Sequence, residues 1–416
     1  MFHDATPGLE DRLRAEPPIS GYTGFDPTGP SLHIGHLVPI FGLIRLQRAG
    51  GRPIALVGGG TGMIGDPSGR SSERNLLDRD TLGANVQSIR AQLERFLDFA
   101  PGPHAARMAN NADWLDGLGL IDFLRDIGKH FSIPYMLAKD SVQARLERGL
   151  SFTEFSYMLL QAADFEHLHR TWGCEIQMGG ADQWGNITAG LELIRRVTGR
   201  AGDGHRRAYG LSYPLLLSPS GAKFGKSEGG DSVWLDADLT TPYAFYQHWL
   251  NADDRDMGLY LRWFTLLSAA EIEALEADGA ARPEARIPQR AMALDITARV
   301  HGPTAAAHAV RVSTAAFARD PIRDHAVLQT LHADVDGFPF NGTDLTGDVL
   351  GMLVRAGLFA SNGEARRMIT QGGVSINDER VTAPDAAVPA PIDGEWLVVR
   401  VGKRRLSIGR RSDTQA

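Results

Sequence analysis

A chain of 416 residues, 43% of them hydrophobic and 22% charged, carries enough apolar material for two or three packed domains. Its formal charge of -7 excludes a protein that coats nucleic acid indiscriminately, though not one with a local basic patch. No apolar run is long enough to span a membrane, the N-terminus lacks a secretory pattern and the single cysteine, Cys174, cannot form an internal disulfide, which leads to the expectation of a cytoplasmic protein.

Hydrophobic periodicity predicts a strand over 19–25, a helix over 32–49 closed by Gly50-Gly51, and a wholly apolar strand over 53–57. Such a βαβ unit implies a parallel sheet, with ligands bound beyond the carboxyl ends of its strands. Helical patterns follow over 80–99, 114–128, 141–148 and 152–172. A buried strand is expected over 174–178, a helix to about 197, and another strand over 214–217. Cys174 has no ligand cluster around it and reads as a small buried hydrophobe. The first 230 residues thus read as an α/β domain (1–230) with a Rossmann-like parallel sheet. A helical region (231–332), a Gly/Asp/Pro-rich linker (333–347) and a small α+β module (348–412) follow. In the last of these, Ser361 to Glu364 is a capping box, and a hairpin turns at Gly402-Lys403.

Two motifs carry chemistry. His33-Ile34-Gly35-His36 opens the predicted 32–49 helix, where backbone N–H groups and the helix dipole favour an anion. Lys223-Phe224-Gly225-Lys226-Ser227 lies in a Gly/Ser-rich stretch. The chain has only five lysines, with arginine supplying the other 38 of its 43 basic residues, so two lysines within four positions imply a need for compact, mobile charge. The lysine pair alone also reads as a solvated surface loop; with the histidines it reads as half of a triphosphate clamp. A third motif misleads: Gly60-Thr61-Gly62-Met63-Ile64-Gly65 matches a dinucleotide fingerprint, but Asp66-Pro67-Ser68-Gly69 follows and breaks the helix that fingerprint needs.

These motifs, with Tyr22 to Thr28, Gly62 to Gly69, Ser151 to Tyr157, Gln161, Asp164 and Gly180 to Asn186, run in an order that resembles the class I aminoacyl-tRNA synthetases of the bacterial tyrosyl type. The C-terminal module resembles the S4-type RNA-binding domain that ends such enzymes. The resemblance implies activation of L-tyrosine by ATP, with Mg²⁺ travelling on the phosphates and no resident metal or bound cofactor. Transfer of tyrosine to the 3'-terminal adenosine of tRNA(Tyr) would follow, by a homodimer paired through the 123–157 region.

The resemblance also assigns roles. Tyr22 and Asp164 would bind the substrate phenol and reject phenylalanine, whose binding would leave them unpaired; tyrosyl enzymes are the standard example of that effect. Tyr157, Gln161 and Asp66 would hold the α-ammonium, and Gln183 would lie near the carboxylate and α-phosphate. Without the resemblance, Gln161 and Asp164, three apart on one helix, read as a polar surface face. Asp26, Thr28, His33, His36, Gly180, Asp182, Lys223, Lys226 and Ser227 form the ATP set, with Asp182 on the ribose. Thr28, His33, His36, Lys223 and Lys226 would stabilise the transition state. Arg70 and Arg74 fall where basic residues are expected near the substrate. Arg400, Lys403, Arg404 and Arg405, in a basic run ending at Arg411, would meet tRNA phosphates. Lys-Phe-Gly-Lys-Ser is a tyrosyl-type form of the class I lysine motif, and the segment before Tyr22 is short for the family. A nucleotidyltransferase, a tryptophanyl enzyme and an inactive RNA-binding regulator on the same scaffold are the alternatives. The S4-like module weighs against the first, Tyr22 and Asp164 against the second, and the intact histidine and lysine motifs against the third.

Overall fold

The structure, a computed structural model, describes residues 2–15, 18–68, 77–139, 142–143, 149–199, 207–216, 232–318, 320–402 and 405–412. By compactness it divides into two units, one of residues 1–239 with 253–288, the other of 240–252 with 289–416.

The first unit is built on a six-stranded sheet ordered β1-β6-β5-β2-β3-β4. The strands are β1 (Asp4–Ala5), β2 (Ser20–Phe25), β3 (Arg52–Val57), β4 (Arg107–Asn110), β5 (Ile176–Gly180) and β6 (Tyr209–Tyr213). All pairings are parallel except that of the edge strand β1 with β6. The apolar run Pro53 to Val57 suits β3, which is buried on both faces. From β2 the chain moves outward in one direction to β3 and β4 and in the other to β5 and β6, so the order reverses between β2 and β5. Ligands bind at that kind of switch point.

The expected 32–49 helix is a short 3-10 turn (Ile34–His36) followed by the Leu37–Arg48 helix. The Phe152–Trp172 helix begins at a Ser151 N-cap and ends at Gly173, whose φ of 63° is the left-handed conformation that favours glycine there. The Trp184–Val197 helix packs along it. The N-terminal helix is indeed short, Leu9–Arg14, and is tied down by Arg12, which makes an ion pair at 2.7 Å with buried Glu175.

Four expectations are corrected. The strand expected over 214–217 is instead Tyr209–Tyr213; Pro214 has no N–H to continue the ladder. The single helix expected over 114–128 is broken into Ala112–Leu115, Leu120–Asp122 and the π-type Phe123–Ile127, with Gly117 and Gly119 between the first two. Residues 253–288 belong with the first unit rather than with the helical region. Arg45, on the Leu37–Arg48 helix, donates to the carbonyls of Arg262 (2.7 Å), Trp263 (3.0 Å) and Thr265 (3.1 Å), capping the Met257–Phe264 helix with the charge its C-terminus favours. The expected linker 333–347 carries strand β7 (Gly337–Phe340) and the Gly342–Thr346 helix; Phe338 and Phe340 alternate into the core while turn-forming residues flank them.

In the second unit, β7 joins β8 (Val374–Ile376), β9 (Glu379–Arg380), β10 (Trp396–Val401) and β11 (Arg405–Arg411) in a sheet ordered β7-β11-β10-β8-β9. Side chains alternate across β10. Leu397 and Val399 face a core shared with the Val349–Arg355 and Asn362–Thr370 helices. Trp396 and Val398 face the His325–Asp334 helix. The β10–β11 pair is the expected hairpin. Ser361 caps the N-terminus of Asn362–Thr370, and Glu364 reaches back to the backbone N–H of Ala360 rather than to its own cap.

Candidate functional site

A cavity of ≈ 610 Å³ opens at the carboxyl ends of β2, β3, β5 and β6. Tyr22, Asp26, Thr28, His33, His36, Asp66, Tyr157, Gln161, Asp164, Gly180, Asp182 and Gln183 all line it. Lys223, Lys226, Ser227, Arg70, Arg74, Lys403 and Arg404 lie outside the described residues, as does most of the expected 141–148 helix.

One end of the cavity is closed and polar. Tyr22, on the central strand β2, is 1% exposed, and its hydroxyl has no hydrogen-bond partner among the described residues. Burial, then the charge of Asp164, holds its proton affinity well above the usual tyrosine range. Asp164, on the Phe152–Trp172 helix, accepts from Trp114 Nε1–H at 2.8 Å and from Asn111 Nδ2–H at 2.9 Å. Burial raises its pKa to about 7, although these two donors favour the charged form. An unpaired hydroxyl beside a carboxylate with spare lone pairs can pair with a ligand group that both donates and accepts, such as a phenol.

Midway along the cavity, side-chain amides and carboxylates form a network. Asp66 accepts from Gln183 Nε2 at 2.7 Å and from the Ser68 backbone N–H at 2.9 Å. Asn186 Nδ2 donates to Gln161 Oε1 at 3.0 Å and to Gln183 Oε1 at 3.3 Å. Tyr157 donates to Asp26 Oδ2 at 2.9 Å, and Thr61 donates to Asp26 Oδ1 at 3.0 Å. Asn111 Nδ2 reaches Thr61 Oγ1 at 2.9 Å, joining this group to Asp164. Gly58 permits the arrangement, because a Cβ there would fall on the Asp26 carboxylate and the Thr61 hydroxyl. Carboxylates surrounded by hydroxyls and amides suit a cation held by its N–H donors.

The open end carries the histidines. His33 Nδ1 accepts from the Gly35 backbone N–H at 3.1 Å, and His36 Nδ1 accepts from the His33 backbone N–H, also at 3.1 Å. In the neutral rings each proton therefore sits on Nε2, leaving an N–H donor on both. Burial lowers the proton affinity of His33. The chain returning after the lysine motif is stitched to this turn: Ile34 N donates to Val233 O at 3.0 Å, Leu235 N donates to Leu32 O at 2.8 Å, and the Trp234 ring stands edge-on to His33. Residues 233–235 are thus tied to the histidine turn by backbone.

Asn111, Trp114, Thr61 and Asn186 were missed by sequence reasoning as site residues. A signal existed for Asn111: it directly follows β4 at the carboxyl edge of a parallel sheet. In the second unit, Arg405, though exposed, donates to Asp336 Oδ2 at 3.0 Å and to Leu358 O at 2.6 Å. Arg400 keeps two buried guanidinium nitrogens without a partner among the described residues.

Residues 14–318 match the family described as tRNA synthetases class I (W and Y), and residues 329–408 match the tyrosine--tRNA ligase SYY-like C-terminal domain. The chain is 51% identical over 413 residues to a tyrosine--tRNA ligase of Anaeromyxobacter dehalogenans, covering 98% of this chain and 96% of that one. It is 49% identical over 402 residues to that of Geobacillus stearothermophilus, covering 95% and 94%. A C-terminally truncated mitochondrial tyrosyl-tRNA synthetase of Aspergillus nidulans matches in structure with a TM-score of 0.69 at 29% identity, over 76% of this chain and 91% of that one. With both parts of the chain matched in sequence order and full-length relatives at about half identity, the chain belongs to the class I tRNA synthetases, in the tyrosine--tRNA ligase family.

Proposed function

We propose that this cavity binds L-tyrosine with its phenol in the closed end and ATP toward the histidines, forms tyrosyl-adenylate there, and passes tyrosine to tRNA(Tyr). The observation that carries this reading is the Tyr22 hydroxyl, buried without a hydrogen-bond partner among the described residues and within the field of Asp164. The phenol pairs with both groups. The α-ammonium meets Asp66, Gln161 and Tyr157, and Gln183 turns toward the carboxylate and α-phosphate. Asp182, beside Gly180 at the end of β5, takes the ribose hydroxyls; a Cβ at Gly180 would come within 2.5 Å of Asp182 Oδ1.

The substrate carboxylate is already a nucleophile, so activation needs no protein base. It attacks the α-phosphorus in line, a new P–O bond forms, and the bond to the bridging oxygen breaks to release pyrophosphate. Rate then comes from positioning and from stabilising charge on the phosphate oxygens. The Nε2–H donors of His33 and His36 and the Thr28 hydroxyl serve that charge, with Lys223, Lys226 and Ser227 supplied by the lysine motif. Mg²⁺ enters as part of the nucleotide, on its phosphates.

We assign the helical part of the second unit (240–252 with 289–332) and the module over 348–412 to tRNA, with Arg400, Lys403 and Arg404 at phosphates. Arg405 is less available, being paired with Asp336. The protein acts in the cytoplasm; among the described residues no helix is long and apolar enough to cross a membrane. A homodimer is supported by apolar side chains left exposed in the 120–152 region: Leu120, Ile121, Leu124, Ile133 and Phe152. Amino-acid-dependent exchange of pyrophosphate into ATP, run with each of the twenty amino acids, tests the reading. Exchange with tyrosine alone is expected, and exchange driven by another amino acid overturns it.

A further inference from the structure

The donor that fixes Asp164 is itself held from outside the cavity. The His167 imidazole lies against the Trp114 indole with ring centroids 4.4 Å apart and planes 11° from parallel. The same indole donates to Asp164 Oδ1 at 2.8 Å. Neither Trp114 nor His167 lines the cavity. They come from different elements: Trp114 from the four-residue Ala112–Leu115 turn after β4, His167 from the Phe152–Trp172 helix. On that helix Asp164 and His167 are three positions apart, hence on one face. One helix therefore presents both the carboxylate and the ring that braces its donor.

Trp114 needs such a brace. It is only partly buried, at the edge of the core beneath β2 and β3, and the turn that carries it is followed within a few residues by Gly117 and Gly119. A parallel aromatic contact fixes the ring plane, and with it the direction of the N–H. Burial, then the nearby Arg170, lowers the proton affinity of His167, so the ring stacks as a neutral aromatic at physiological pH.

We propose, on the reading that Asp164 receives the substrate phenol, that His167 is a positioning residue for tyrosine recognition: its stack on Trp114 keeps the indole N–H on Asp164 Oδ1, leaving the other carboxylate lone pairs directed at the phenol. Asp164 then meets tyrosine in one orientation rather than several. The effect is expected at the phenol end, because Asp164 is the cavity residue that the indole N–H meets.

Steady-state pyrophosphate exchange with the full-length protein tests it, using His167→Ala, His167→Phe and Asp164→Asn. His167→Ala is expected to raise the KM for tyrosine about three- to tenfold, the range of an aromatic pair, with the KM for ATP unchanged. His167→Phe, which restores a flat ring without the imidazole nitrogens, is expected to return the tyrosine KM close to that of the parent. Asp164→Asn is expected to raise it further than His167→Ala does. An unchanged tyrosine KM in His167→Ala, an equal rise in both KM values, or no rescue by phenylalanine overturns the role of His167 while leaving the phenol site standing. An unchanged tyrosine KM in Asp164→Asn removes the phenol site, and this role with it.

Discussion

Tyr157 gives its hydroxyl hydrogen to Asp26 Oδ2 at 2.9 Å. The bond turns the lone pairs of the Tyr157 oxygen away from Asp26 and leaves them to accept from a ligand. It also anchors Asp26, which the family resemblance implies is an ATP ligand, beside the residues proposed for the α-ammonium. Burial, followed by the charges of Asp26 and Asp66, holds the Tyr157 hydroxyl protonated far above physiological pH, so the direction of donation is secure.

Removing that hydroxyl should therefore weaken tyrosine more than ATP. Tyr157→Phe deletes one acceptor for a charged ammonium, a bond of about 1.5–3 kcal/mol, or roughly ten- to hundredfold in tyrosine affinity. Equilibrium binding of tyrosine in the absence of ATP checks this. An unchanged affinity would place the ammonium elsewhere.

Asp164 supplies a pH signature. Its pKa of about 7 is the balance between burial, which raises it, and the N–H groups of Asn111 and Trp114, which lower it. Binding of tyrosine to the free enzyme should show an ionisation in that region. Trp114→Phe removes one donor to the carboxylate and favours the neutral acid, so the inflection should move to higher pH. Asp164→Asn should abolish it. The pH profile of kcat/KM for tyrosine, which reports the free enzyme, is the measurement.

The second unit should lose stability in acid through His248. Burial pushes the pKa of this imidazole down to about 4, whereas an unfolded chain takes up the proton near pH 6.5. Between those values the unfolded state binds more protons than the native one, so stability falls as pH drops from about 6.5 toward 4 and is unaffected by this group above that window. His248→Phe keeps the ring and removes the titration, and should flatten the slope of unfolding free energy against pH over the same interval. Urea melts at pH 4.5, 5.5 and 7 compare the two; identical slopes would mean that His248 titrates normally.

Much of this architecture was legible locally. The Phe152–Trp172 helix could be bounded because Ser151 and Gly173 are residues whose side chain, or lack of one, acts at a helix end. The histidine turn could be located because its motif stands before an apolar stripe. Other features depend on contacts between distant segments. Phe338 and Phe340 read as part of a linker until β11, some seventy residues later, supplies a partner for them. Asn111 and Trp114 acquire meaning only from Asp164, about fifty residues away in sequence. Arg405 looked like one of several free cations in a basic run, and Asp336 claims it only once the sheet forms. Residue type and spacing reveal chemistry carried within one element; they do not reveal which residues hold a catalytic side chain in place.

The central claim is that Tyr22 and Asp164 make this cavity select tyrosine through its phenolic hydroxyl. The most direct measurement is the ratio of kcat/KM for tyrosine to that for phenylalanine in pyrophosphate exchange, compared between the parent enzyme and Tyr22→Phe. Removing the buried Tyr22 hydroxyl, which lacks a partner among the described residues, should weaken tyrosine while sparing phenylalanine the cost of leaving that hydroxyl unpaired. The ratio should therefore fall, by about tenfold for one hydrogen bond of this kind. A ratio that stays the same in Tyr22→Phe would contradict the account, because the hydroxyl would then take no part in telling the two amino acids apart.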